Sequence, residues 1–159
     1  MLRSDECPCG SRLAFASCCQ PRLLDLRPPE TAEALMRSRY VAFARGEVAY
    51  LLKTLHPSQR GLETGADLRR TVESTRWTGL RVLDTEAGTE GDDEGQVEFV
   101  AFFEQGGGKG QLYERSVFRR EAGRWFYVDA MMSRRRDPPA RGDSCWCGSG
   151  ERFKRCHGR

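Results

Sequence analysis

Two short segments at opposite ends of the chain repeat each other, and this repeat constrains the fold more than any other feature. Cys7-Pro8-Cys9-Gly10-Ser11 recurs 138 residues later as Cys145-Trp146-Cys147-Gly148-Ser149. Phe15 returns as Phe153, and Cys18-Cys19 as Cys156-His157. Both copies read C-x-C-G-S-x3-F-x2-C-[C/H], and together they use all seven cysteines. An odd number of cysteines, with none between Cys19 and Cys145, is a poor disulfide framework.

The residue types point to metal instead. Zinc favours four thiolate or imidazole ligands in a tetrahedron. Each copy supplies four: Cys7, Cys9, Cys18 and Cys19 in one, Cys145, Cys147, Cys156 and His157 in the other. A C-x-C pair sets two sulfurs on one side of a tight turn, and Gly10 and Gly148 let the backbone double back there. Ser11 and Ser149 suit helix N-caps, so the next seven residues are expected to form about two helical turns that deliver the second ligand pair. Phe15 and Phe153 are expected to provide an apolar cover. A module of this size cannot fold on apolar burial alone. Metal binding supplies about 10–16 kcal/mol in comparable peptides and makes up the deficit. Fully ligated sites of this kind are structural rather than catalytic. Iron is the competing metal, since tetrahedral sulfur also suits it.

The remaining composition excludes several classes. Hydrophobic residues make up 38% of the chain, and no window approaches the roughly 20 apolar residues of a membrane helix. No apolar run of signal-peptide length precedes the cysteines, so the expected location is the cytoplasm. Gly106-Gly107-Gly108-Lys109-Gly110 lacks the spacing and the Ser/Thr of a phosphate-binding loop and reads as a hairpin turn. The net charge of +3 is uneven: residues 132–159 alone carry eight basic and three acidic side chains. Arg134, Arg135, Arg136, Arg152, Lys154 and Arg155 are therefore candidate contacts for an anionic partner.

The organisation expected from these features is a metal module at 1–20, a linker at 21–29, a core at 30–131, a basic Pro-rich linker at 132–143 and a second module at 144–159. Within the core, Leu35, Met36, Tyr40 and Phe43 share a helical face that Gly46 can end. Val48, Leu51, Leu52 and Leu55 repeat the pattern up to Pro57, and residues 66–75 form a third, weaker helix. Strands are predicted at 77–84, 96–104, 111–120 and 124–130, separated by Gly-rich turns. Helices followed by strands indicate an α+β fold, with an antiparallel four-stranded meander.

The terminal spacing closely resembles the SEC-C motif, found at the C-terminus of the SecA translocase ATPase and in many small bacterial proteins. The resemblance implies zinc or iron binding and contact with partners such as the SecB chaperone or the ribosome. The whole chain resembles the YchJ-like family, a bacterial group of uncharacterised function with such a motif at each end. Leu35-Met36-Arg37-Ser38-Arg39-Tyr40, His56-Pro57, Val97-Glu98-Phe99, Glu114-Arg115-Ser116 and Trp125-Phe126-Tyr127-Val128-Asp129 carry that resemblance. It implies a cone-shaped core like nuclear transport factor 2, ketosteroid isomerase and scytalone dehydratase, with a curved sheet around helices.

Such a core can hold a cavity. Leu112, Glu114, Ser116 and Phe118 share one strand face, so Glu114 points inward if Leu112 and Phe118 do. A buried carboxylate needs a partner, and Arg37, Arg39, Tyr40, His56 and Tyr127 are candidates. An acid–base site would pair Glu114 with His56. The preferred expectation is a structural Glu–Arg lock. Trp77, Trp125 and Tyr127 are read as core rather than as a stacking platform. The function expected overall is a zinc-binding adaptor for a protein or ribosomal RNA partner. The alternatives are an enzyme or small-molecule binder acting in the core cavity, and a metal-handling protein.

Overall fold

The computed structural model describes residues 5–131 and 137–159. Arg134, Arg135 and Arg136 lie outside them. The helices come first: α1 Gln20–Leu23, α2 Ala32–Arg45, α3 Val48–Lys53 and α4 Gly65–Ser74. Four strands follow, β1 Arg76–Ala87, β2 Glu94–Gln105, β3 Gly108–Glu121 and β4 Arg124–Met131, in one antiparallel sheet of order β1-β2-β3-β4. This is the expected α+β meander.

Local chemistry explains the boundaries. The Thr31 hydroxyl accepts from the Ala34 amide at 3.0 Å to start α2. Gly46 ends that helix at φ 79°, a left-handed geometry that costs other residues more. Thr64 and Asp67 form a reciprocal capping box that starts α4, which the weak apolar pattern of that segment does not reveal. The strands run longer than predicted at most ends, because their exposed polar residues still pair across the ladder.

Helix α2 lies along the concave face of the sheet. Its buried Leu35 and Met36 pack with Val97, Phe118 and Trp125. Each such fully buried apolar side chain contributes roughly 1.5–3 kcal/mol. Register shifts at Trp77/Gly79 and Val82/Asp84 in β1, and at Val117/Phe118 in β3, mark bulges that bend the sheet around this helix. After α3 the chain runs beside the sheet edge: the His56 amide donates to the Tyr127 carbonyl at 2.8 Å, and the Tyr127 amide donates to the Thr54 carbonyl at 2.9 Å. Side chains of β2 alternate faces. Val97, Phe99 and Ala101 face the helices, while Glu98 and Phe102 face the other side.

The connection after the first module, expected as a linker at 21–29, is partly helical and tied to its neighbours. Pro21 sits in the first turn of α1, where its missing N–H costs nothing. Arg22 donates to the Cys18 carbonyl at 2.7 Å and to Glu30 Oε2 at 2.8 Å, tying the module to the start of α2.

Candidate metal centres and core cavity

The two cysteine motifs fold alike. In each, the amide of the first cysteine donates across a small loop at 2.8 Å, from Cys7 to the Leu13 carbonyl and from Cys145 to the Glu151 carbonyl. The glycine amide then closes the turn at 3.3 Å, from Gly10 to the Cys7 carbonyl and from Gly148 to the Cys145 carbonyl. The expected two-turn helices are corrected here. Only single 3-10 turns form, at Phe15–Ser17 and Phe153–Arg155, and neither has a side-chain cap. Ser11 and Ser149 serve the sulfurs instead. Ser11 Oγ lies 3.2 Å from Cys18 Sγ, and Ser149 Oγ lies 3.5 Å from Cys156 Sγ.

Each motif gathers its four ligand atoms within 4.8 Å of one another. A regular tetrahedron with zinc–sulfur arms near 2.3 Å has edges of about 3.8 Å. The Cys9–Cys18 and Cys18–Cys19 sulfur separations are 3.7 and 3.9 Å, and Cys147–Cys156 is 3.6 Å. His157 Nδ1 lies 3.3 Å from Cys145 Sγ and 3.1 Å from Cys156 Sγ, shorter, as the smaller nitrogen requires. The donor chemistry and edge lengths fit a tetrahedral metal ion in both places.

The electrostatics of the clusters is divided: Cys9, Cys147 and His157 are held in their ligating forms, while the Cys7, Cys19 and Cys145 thiols are pushed up. Hydrogen bonds from Cys19 and Cys7 hold the Cys9 thiol far below the usual thiol range, so it ionises first. Hydrogen bonds with Cys7 and then Cys9, with burial, push the Cys19 thiol up. A cation removes the conflict by displacing the shared protons. In the second motif burial opposes ionisation of Cys147, but the Ser149 hydrogen bonds prevail and lower it. Burial, aided by Lys109, lowers His157 and keeps its imidazole neutral, which is the form that binds metal.

The settings differ. Cys7, Cys9 and Cys19 are fully buried and share one apolar cluster with Tyr40, Val41 and Ala101 on the concave side. Arg37 donates to the Cys9 carbonyl at 2.6 Å, and the Arg45 guanidinium stacks 4.6 Å over Phe15. The second motif lies on the opposite face of the sheet. The His157 ring packs 4.7 Å from Phe102, Arg81 donates to the Trp146 carbonyl at 3.0 Å, and the Trp146 indole donates to Gln111. Cys147 and His157 are half-buried there. Arg152, Lys154 and Arg155 are exposed and make no ion pair among the described residues.

A cavity of about 230 Å³ lies between α2, α4 and the sheet. Arg39, Tyr40, Glu114, Ser116 and Tyr127 line it, as expected. Two expectations are corrected. Glu114 forms no ion pair with an arginine among the described residues: its Oε1 accepts from Ser116 at 2.7 Å and from Tyr127 at 3.0 Å. Arg39 is spent elsewhere, donating to the Leu51 carbonyl and Thr54 Oγ1, both at 2.7 Å, with its guanidinium 4.8 Å over the Tyr127 ring. Arg37 pairs with Glu33 within its own helix. His56 does not reach the cavity. Its Nδ1 accepts from the Ser58 amide at 3.2 Å, which places the ring proton on Nε2, 2.8 Å from Glu121. It caps the turn at Pro57–Gln59. Trp77 and Trp125 pack as expected of core residues, Trp77 edge-on to Tyr40 and Phe103 and Trp125 with its indole donating to the Glu30 carbonyl. Glu63 and Thr71, which also line the cavity, carry no sequence signal, because they reach it from the loop before α4 and from α4 itself.

Fold and ligand geometry together define a SEC-C protein whose two ligand sets could each hold a metal ion, on a nuclear-transport-factor-2-like core. The SEC-C motif model matches residues 3–21 and 141–159. The model of the YchJ middle NTF2-like domain matches residues 31–130, and the chain belongs to this YchJ-like family. The UPF0225 protein GSU1048 of Geobacter sulfurreducens is 38% identical over 156 residues, covering 96% of this chain and 97% of that protein. The solution structure of RPA3114, a SEC-C motif containing protein from Rhodopseudomonas palustris, is similar at a TM-score of 0.75 and 35% identity. It covers 81% of this chain and 99% of its own. A crystal structure of a SEC-C motif containing protein from Psychrobacter arcticus aligns at a TM-score of 0.68 and 31% identity, over 98% of this chain and 96% of that one.

Proposed function

We propose that this protein is a zinc-binding cytoplasmic adaptor whose C-terminal module carries the contact with an anionic partner, RNA on the ribosome or an acidic protein surface. One observation carries the reading: two copies of one motif differ in what they leave exposed. The first is enclosed by the core. The second keeps Arg152, Lys154 and Arg155 open to solvent. No helix among the described residues is long and apolar enough to cross a membrane. Zinc is favoured over iron because mixed Cys3His ligation is a common zinc set. Slow metal release from closed sites would separate this reading from metal handling.

The test is ribosome co-sedimentation across a salt series, with R152A/K154A/R155A and R134A/R135A/R136A in parallel. Phosphate contacts weaken log-linearly with salt by counterion release. Loss of binding in the first triple variant, with metal content unchanged, is the expected result. Equal binding by wild type and both variants would remove the electrostatic argument. Elemental analysis should give two equivalents of zinc per chain.

A further inference from the structure

The cavity under α2 has a chemistry that the metal sites do not explain. Its walls are the rings of Tyr40, Phe43, Trp77, Phe99, Phe118 and Tyr127, and its polar groups gather around Glu114. A carboxylate taken even partly out of water is costly unless its oxygens are satisfied, and Glu114 is half-buried. Oε1 of Glu114 is satisfied twice, by two hydroxyls, while Oε2 has no partner among the described residues. Burial, reinforced by Glu114, pushes the Tyr127 hydroxyl up, so it stays a donor. Ser116 is 1% exposed and Arg39 6% exposed, while Glu114 itself is half-buried, so its second oxygen opens onto accessible space against a buried polar wall.

The charge balance is specific. Two carboxylates, Glu63 and Glu114, line the space against one guanidinium. That guanidinium faces the end of α3 through the Leu51 carbonyl and Thr54, and Tyr127 covers it. The Tyr127 ring thus already receives one cation on a face, as aromatic quadrupoles favour. Trp77 lines the same space, but its Nε1 has essentially no accessible surface, so the cavity meets the indole ring and not its N–H. An occupant of this cavity therefore has a donor for Glu114 and a body that packs on rings.

We propose that the cavity binds a small organic cation: a protonated amine on an apolar, ring-sized body. The ammonium donates to Glu114 Oε2 amid the rings. A cavity of about 150 Å³ holds benzene, so about 230 Å³ suits roughly nine non-hydrogen atoms. An apolar pocket with a few convergent polar groups is the usual form of a small-molecule site. This inference is independent of the adaptor reading.

Three probes of one shape and different charge test it on the full, metal-loaded chain: tyramine, neutral 4-ethylphenol and anionic 4-hydroxyphenylacetate. The readout is the indole N–H signal of each tryptophan in nitrogen-15 correlation spectra, with affinity by calorimetry. Tyramine is expected to bind at least about tenfold more tightly than either of the others, the size of a desolvated cation–ring and carboxylate preference. The Trp77 signal should move as the occupant's ring packs beside the indole. Trp125, already donating to Glu30, should stay. Glu114→Gln should weaken tyramine by a similar factor and leave 4-ethylphenol unchanged. If that variant folds poorly, the three-probe ranking on the wild type still decides. Equal or tighter binding of the neutral or anionic probe overturns the proposal. So does an unmoved Trp77 signal with every probe at millimolar concentration.

Discussion

Gly10 and Gly148 occupy the same place in the same turn, at φ 78° and 81°, yet their surroundings are opposite. A Cβ on Gly10 would stand 2.8 Å from the Leu80 carbonyl oxygen of β1, whereas one on Gly148 would meet nothing within 4 Å. The same contrast runs through each module. Arg37 and Arg22 clamp the backbone around the first cysteine set, and Tyr40, Val41 and Ala101 share its apolar cluster. The second set packs mainly on its own Phe153 and Trp146 and touches the sheet through a few polar and ring contacts. A metal-nucleated loop is thus a portable unit. Where it is buried it becomes part of the core, and where it rests on a surface it remains an appendage that can present its outer face.

The largest expected effect tests that contrast directly. Cys9→Ser should destabilise the whole core, by about 4 kcal/mol or more, because site free energies of about 10–16 kcal/mol are here coupled to core packing. Cys147→Ser should leave core melting within about 1 kcal/mol of wild type. Chemical denaturation followed by the near-ultraviolet signal of Trp77 and Trp125 checks both. Equal losses would mean that the second module braces the core as firmly as the first.

Gly10→Ala and Gly148→Ala share the left-handed penalty of about 1 kcal/mol. Only Gly10→Ala adds a clash with backbone, so it should cost about 2–3 kcal/mol in total. The difference between the two melts measures burial alone. A smaller effect is expected at the sheet contact. Phe102→Ala removes the ring beneath His157 and should speed chelator-driven metal loss from the second site several-fold. The first site, on the other face, should keep its rate. Identical acceleration at both sites would show that they communicate.

The smallest effect is acid sensitivity. Burial opposes the charge of Glu30, but the Arg22 hydrogen bond and charge win and hold its carboxyl below the usual 4.5. A carboxylate depressed on folding contributes stability above its unfolded value and loses it as pH falls through the folded one. The Arg22–Glu30 tie should therefore weaken below about pH 4.5, by under about 1 kcal/mol because Glu30 is partly exposed. Glu30→Gln should flatten that part of the stability profile.

The grouping of the eight candidate ligands into two clusters was legible because their spacing repeats, and the copy at 145–157 doubles the signal. Helix α2 and all four strands were legible from periodicity. The seating of the first module on the core was not. It depends on Arg37 reaching the Cys9 carbonyl and on Gly10 lying against β1, contacts between distant segments that no local pattern encodes. The Glu114 environment failed for a related reason. Strand alternation gave its direction, but whether an arginine or a pair of hydroxyls meets it depends on where Arg39 spends its donors.

One peptide bond in the middle of β2 has an unusual position. Ala101 belongs to the buried cluster of the first cysteine set, and Phe102 packs on the His157 ring of the second. Adjacent residues therefore look into two separate coordination spheres through opposite sides of one sheet. A carbon-13 methyl at Ala101 and a fluorine on Phe102 would form a two-channel reporter, each reading the occupancy of its own ion. Titrating chelator into such a doubly labelled chain would give the order of metal release in a single spectrum series.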